Sequence, residues 1–136
     1  MSVSLVEAVT PELSLLWQHA CKDVVAKRGG AALMATLGGT LSEDDLLASV
    51  VASRSLWSYV VDGELRGFCL YRASVVEAVY VAHAYRRQRV ATALVRSVLE
   101  GEVALVDAYA LPGDRAMKSL YESLGWKARL LTMRGA

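Results

Sequence analysis

Apolar residues along this chain follow two rhythms, and the alternation between them lays out the elements. Residues 2–9 mix β-branched and short polar side chains and predict a first strand. Thr10-Pro11-Glu12 is a strong helix start: threonine can cap, proline is tolerated in the first turn, and glutamate complements the dipole. Leu13, Leu16, Trp17, Ala20, Cys21, Val24 and Val25 then recur at helical spacing, up to the stop at Gly29-Gly30. Residues 31–40 are small, apolar and glycine-rich and read as the least regular part of the chain. Ser42, with Asp45 three residues on, opens a second helix carrying Leu46, Leu47, Val50 and Val51.

Strand patterns follow. Residues 56–61 and 64–71 predict a hairpin about the favoured Asp62-Gly63 turn, and 74–81 a further strand. Val90, Ala91, Leu94, Val95 and Val98 share one face of a helix over 90–99, closed by Gly101. A strand over 103–109, a turn at 111–114, a helix over 115–124 and a closing strand over 126–133 complete the order. No repeat, linker or low-complexity segment interrupts it. The fold class is α/β (α+β): one three-layer domain, residues 1–136, with a mixed sheet flanked by helices.

Composition narrows the function. The 136 residues are 54% hydrophobic and 21% charged, enough for a sizeable core. The formal charge of +1 argues against a nucleic-acid or membrane-surface binder. Cys21 falls on a helix stripe and Cys69 in a strand, which suits buried reduced thiols. Neither they nor His19 and His83 have metal-ligand spacing, so no metal is expected. With no apolar run long enough to span a bilayer and no leader pattern, a cytoplasmic protein is the default expectation.

The one dense basic cluster is Arg86-Arg87-Gln88-Arg89, between the 74–81 strand and the 90–99 helix. Free backbone N–H groups and the helix dipole favour an anion there, and arginines add forked donors. The segment 86–91 resembles the pyrophosphate-binding loop of the GNAT superfamily of N-acetyltransferases, whose pattern is Gln or Arg, two variable residues, Gly, one variable residue, then Gly or Ala. Arg86 and Ala91 match its ends, while Arg89 stands at the usual glycine. The segment 114–126 resembles the superfamily's last helix: Leu120-Tyr121-Glu122 and Gly125 match, with Asp114 in place of Asn and Trp126 in place of Phe. The element order is also that of the GNAT fold, although the chain before about Leu56 matches only in that order.

The resemblance implies an acetyl-CoA-dependent N-acetyltransferase. It implies that the backbone of Val79, Tyr80 and Val81 pairs with the pantetheine arm. Arg86, Arg87, Gln88, Arg89, Val90, Ala91 and Thr92 would hold the pyrophosphate, and Asp114 would be a further cofactor contact. Tyr121 would be the general acid, since a phenol of pKa about 10 is protonated at neutral pH. Glu77 is the candidate base because an acid is out of place in Val75-Val76-Glu77-Ala78-Val79. It reads equally as a carboxylate paired with an arginine or reaching solvent. Asp107 and Tyr109 are weaker alternatives. If Arg89 must adopt positive φ, it costs roughly 1–3 kcal/mol.

The acceptor face would include 31–40, which is nearly uncharged and lacks the acids that aminoglycosides or polyamines need. A small-molecule or peptide amine is the expected partner, with no nucleic acid and no membrane. A second reading is a non-catalytic acetyl-CoA-sensing regulator of a partner protein. An open sheet edge at 126–133 leaves room for a homodimer.

Overall fold

The computed structural model describes residues 2–133 and 135. Its elements are β1 (Ser2–Leu5), α1 (Pro11–Val25), α2 (Gly30–Gly38), α3 (Glu43–Ala52), β2 (Leu56–Val61), β3 (Glu64–Arg72), β4 (Val75–Val81), α4 (Val90–Val98), β5 (Asp107–Ala108) and α5 (Arg115–Ser123). The strands lie in the order β1-β2-β3-β4-β5. The first four are antiparallel neighbours, and β5 joins β4 in parallel for one short stretch, Val75 opposite Asp107 and Val76 opposite Ala108.

Each face of the sheet is covered by its own core. Trp17, Cys21, Leu46, Leu47, Val50, Leu56, Phe68 and Leu70 bury one face under α1 and α3, with Met34 and Leu37 of α2 packed against them. Cys69, Val76, Val90, Leu94, Val95, Leu120 and Tyr121 bury the other under α4 and α5. The result is a three-layer α/β arrangement with a mixed sheet. Cys21 and Cys69 are both buried, unbridged thiols. Among the described residues, no helix is long and apolar enough to cross a membrane.

Local chemistry explains most element ends. The Thr10 hydroxyl accepts from the Leu13 amide and the Ser42 hydroxyl from the Asp45 amide, as their positions in the sequence predict. Asp62 and Gly63 both take positive φ, the paired left-handed turn that matches strand twist.

Three expectations need correction. Residues 31–40, read as irregular, lie largely within helix α2. Its alanines, leucines and methionine are strong helix formers, and the glycines sit at its boundaries rather than inside it. The strand over 103–109 is reduced to Asp107–Ala108. The closing strand over 126–133 does not form. Strand propensity is only a fit to a pleated surface, and in the single chain neither segment has a ladder partner along its length.

Two bulges shape the sheet. Leu70 pairs with Ala78 and Tyr71 with Val76, so Glu77 is an extra residue on β4. The ladder to β5 ends at the same level, where the Tyr109 amide donates to the Val76 carbonyl. A second irregularity lies at Tyr59/Val60 of β2, opposite Arg66 of β3.

At Gly67 a β-carbon would lie 2.6 Å from the Tyr80 carbonyl and 3.3 Å from Leu94 Cδ1. The absence of a side chain there lets α4 sit down on β3. Gly67→Ala is expected to cost about 1–3 kcal/mol through overpacking. Thermal unfolding should register this as a midpoint lowered by about 3–10 °C; an unchanged midpoint counts against that close approach.

Candidate active site

The bulge at Glu77 sets the site. Past Val76, β4 keeps β3 on one side and, among the described residues, has no strand on the other, so residues 77–80 present an open edge. Val79 and Val81 pack into the core beneath α4 and α5, while Tyr80 packs on the α1 face. The edge runs toward a single 3-10 turn at His83–Tyr85 and then into the loop that starts α4.

That loop is unusual in its backbone. Arg87 and Arg89 both take left-handed φ, 64° and 62°. Arg89 is the N-cap of α4 without a side-chain cap. Among the described residues, the backbone N–H groups of 87–92 meet no hydrogen-bond acceptor. Arg87, Gln88 and Arg89 are exposed, Val90 is buried, and Ala91 and Thr92 are half-buried. Unpaired amides at a helix N-terminus are chemically suited to an anion.

Arg86 is used differently. Its Nε donates to the Val81 carbonyl at 3.0 Å, its guanidinium lies over the Tyr80 ring at 5.2 Å, and it reaches the Asp23 carboxylate at 3.5 Å. Tyr80 also donates to Asp23, at 2.7 Å. This group ties the last turns of α1 to the end of β4. Burial, together with the Asp23 carboxylate, pushes the Tyr80 phenol up to about 12. The Tyr80 and Arg86 hydrogen bonds hold the Asp23 carboxyl below its usual range.

Tyr121 packs in the apolar cluster that also holds Cys69, Val79 and Val81. It is buried, its ring stacks on Trp126 at 5.3 Å, and among the described residues its hydroxyl has no hydrogen-bond partner. Burial, with Cys69 and Asp114 nearby, holds its pKa well above the ordinary phenol value. Such an orphaned buried hydroxyl costs about 1–3 kcal/mol unless something accepts from it. Cys69 lies opposite Val79 in the ladder, so Tyr121 shares its cluster with the β3–β4 pair.

Glu77 belongs to the other face. Its carboxylate accepts from Arg72 Nε, and Arg72 Nη2 donates to the Leu37 carbonyl of α2 at 2.6 Å. Burial raises the Glu77 pKa and the Arg72 pairing opposes that rise. Asp114 is also engaged: one oxygen accepts from the Met117 amide at the start of α5 and the other pairs with Lys27 at 3.3 Å. Asp107 is paired with Arg129, and Tyr109 is exposed. Asp23, Lys27 and Arg72 were not legible as site residues, because each meets its partner only through the fold.

Two outcomes follow. Arg89→Gly is expected to relieve about 1 kcal/mol of left-handed strain, raising the melting midpoint by a few degrees. Arg89→Ala should not, since alanine keeps the β-carbon; equal effects of the two exclude strain as the cause. A carboxyl with a depressed folded pKa contributes stability above its unfolded value, near 3.9, and loses it as the pH falls through the folded value. Melts recorded from pH 6 down to about pH 2 should therefore fall less steeply for Asp23→Asn than for the wild type.

Comparison with known proteins agrees with this geometry. Residues 52–128 match the acetyltransferase (GNAT) domain family. No curated protein matches the chain in sequence. Among solved structures, the aminoglycoside acetyltransferase AAC(6')-Iy with a CoA bisubstrate analogue is 15% identical, covering 99% of this chain and 97% of its own, with a TM-score of 0.58. The ribosomal-protein-S18-alanine N-acetyltransferase of Escherichia coli is 19% identical over 91% of this chain and 76% of its own, with a TM-score of 0.62. The aminoglycoside 6'-N-acetyltransferase of Acinetobacter haemolyticus is 14% identical over 100% and 97%, with a TM-score of 0.61. At these identities the likeness is one of fold. The family match, however, spans more than half of the 136 residues, and it covers the bulged strand, the amide-rich helix start and the buried tyrosine: this chain belongs to the GNAT acetyltransferase family.

Proposed function

We propose that the protein transfers an acetyl group from acetyl-CoA to a primary amine, with Tyr121 as the acid and Glu77, or a water beside it, as the base. The observation that carries this reading is the Tyr121 hydroxyl, buried and, among the described residues, without a partner, in the cluster that also holds Val79 and Val81 of β4. The residues present suit the donor. The edge of Val79, Tyr80 and Val81 can take an extended amide chain as an added strand, and the 87–92 amides with the Thr92 hydroxyl can take phosphate oxygens. Arg87 and Arg89 are free to add charge, whereas Arg86 and Asp114 act through the scaffold they tie together.

When bound, acetyl-CoA supplies the electrophilic acyl carbon and a thiolate leaving group. Tyr121 stays neutral throughout the working range because burial opposes its ionisation. Its hydroxyl therefore stabilises developing charge by donating a hydrogen bond in a dry site. Glu77 is partly desolvated, which raises its basicity, but it must share its carboxylate with Arg72. On the acceptor side, α2 contributes Met34 and Leu37 and no acid. That wall favours a small amine or a peptide N-terminus over a polycation.

The Arg72 pairing of Glu77 also favours a second reading, an acetyl-CoA-sensing regulator without turnover. Thermal unfolding with and without acetyl-CoA, with ATP as control, tests the shared step. Ligand at about 100 times its dissociation constant should add about 2.7 kcal/mol, roughly 10 °C here. A panel of amines assayed for free CoA then separates enzyme from sensor. For the enzyme, Tyr121→Phe should lower kcat by about 10²-fold or more with little change in KM for acetyl-CoA. It should also raise the melting midpoint of the free protein, since an unpaired buried hydroxyl is removed. An unchanged kcat excludes Tyr121 as the acid.

A further inference from the structure

Helix α2 is out of keeping with its surroundings. Residues 30–38 carry no charged side chain, yet only Gly30 among them is buried. A helix that is apolar on every side is normally enclosed. Where α2 meets α1 and the sheet there is a cavity of about 40 Å³. Its lining divides by exposure. Trp17, Cys21, Phe68 and Leu70 are buried, whereas Val24, Met34, Leu37 and Ala78 are half-buried and mark the side on which it opens. Every side chain that lines it is apolar. Cys21 is a neutral thiol there, because burial, with Glu43 and Asp44 nearby, pushes its pKa up to about 12.

The bulge joins this cavity to the proposed base. Glu77 is the extra residue of β4, and it reaches the face into which Ala78 packs. Its carboxylate accepts from Arg72 Nε, and Arg72 Nη2 donates to the Leu37 carbonyl at 2.6 Å. Successive residues of β4 thus offer a carboxylate and a wall of the cavity, and Arg72 fastens the α2 side of that wall to the carboxylate. An amine that approaches Glu77 brings the group on its neighbouring carbon to the Ala78 side. A water-sized atom needs about 10–15 Å³ of such space, so the cavity takes roughly three heavy atoms. An isopropyl group has that size and an aromatic ring exceeds it. A cavity without polar partners stays dry and accepts apolar groups.

We propose that the cavity receives the side chain of the acceptor, which is a primary amine carrying a short branched aliphatic group on the adjacent carbon, as in a valine-type α-amine. The proposal rests on the acyl-transfer reading and adds to it what the amine must carry. Met34, Leu37 and Ala78 are then the residues that set specificity.

Release of free CoA from acetyl-CoA with glycinamide, alaninamide, valinamide and phenylalaninamide tests this. The kcat/KM should rise along the first three, with valinamide at least about tenfold above glycinamide, and fall for phenylalaninamide. Ala20 and Met34 line the cavity from α1 and α2. Ala20→Val should bring valinamide down to the glycinamide level, and Met34→Ala should move the optimum toward phenylalaninamide. An Ala20→Val protein with a raised melting midpoint and an unchanged preference marks a packing void and overturns the inference. The Trp17 indole N–H, which donates to the Glu43 carbonyl at 2.9 Å, gives a readout without turnover. Its resonance should move with valinamide and not with glycinamide, and should stay still in Ala20→Val. Equal release of CoA from all the amides leaves the acyl-transfer reading standing and overturns this inference. Release from none removes the acyl-transfer reading, and the Trp17 resonance then decides: a shift with valinamide alone supports the cavity's preference, and no shift overturns it. A faster rate with valylglycinamide than with valinamide supports the inference with a peptide N-terminus as the source, and a slower one supports it with a small molecule.

Discussion

The separation of β4 from β5 after Val76 is the constraint on which the rest of the molecule depends. A continuous ladder would satisfy the β4 edge and leave no room for a ligand. Glu77, the extra residue opposite Leu70 and Tyr71, disrupts the register where the ladder to β5 stops. A bulge bends its strand and increases local twist. From Glu77 to Tyr80 the outer edge of β4 thereby has no neighbouring strand among the described residues, while the Val81 carbonyl accepts from Arg86. α4 starts at the end of that edge with unpaired amides among the described residues, and α5 brings Tyr121 into the core that Val79 and Val81 share.

Holding the opening in shape requires ties across it, and these are polar. The Asp23–Tyr80–Arg86 group joins α1 to the end of β4, the Arg72–Glu77 pair joins the bulge to α2, and Lys27–Asp114 joins the turn after α1 to the start of α5. Gly29 lies 3.7 Å from Leu111 along the same line, measured from where its β-carbon would stand. Partly exposed ion pairs of this kind contribute little to stability one by one. Their effect is positional: they fix how α1 and α2 stand over the sheet. The cost of the site is borne locally, as two left-handed arginines and an unpaired phenol, inside a fold whose two apolar cores supply the stability.

Much of this was legible in the residues. The stripe from Leu13 to Val25, the Asp62-Gly63 turn, the caps at Thr10 and Ser42 and the apolar face of α4 are local signals, and local chemistry decides them. The two motifs, 86–91 and 114–126, named the family before any geometry was known. Less was legible where the outcome depends on a partner elsewhere. Residues 31–40 looked irregular because glycine at both ends hid nine residues that are helical once α1 lies beside them. Glu77 stood out as an acid in an apolar strand, yet only the fold shows that it is the bulge and that Arg72 holds it. Arg86 matched a phosphate-loop position, yet its guanidinium ties α1 to β4.

What the sequence by itself determined is therefore the set of elements with their own periodicity and caps, the two-faced core, and the residue types available for acyl transfer. Those properties rest on spacing along the chain, where neighbours three, four or two residues apart settle the matter. Only the tertiary structure decided the sign of φ at Arg89, the isolation of the Tyr121 hydroxyl, the pairing of Glu77, and the failure of 103–109 and 126–133 to form full strands. Each of these depends on whether a particular group, distant in sequence, is or is not within reach, and a ladder, an ion pair or an unpaired hydroxyl exists only in relation to that group.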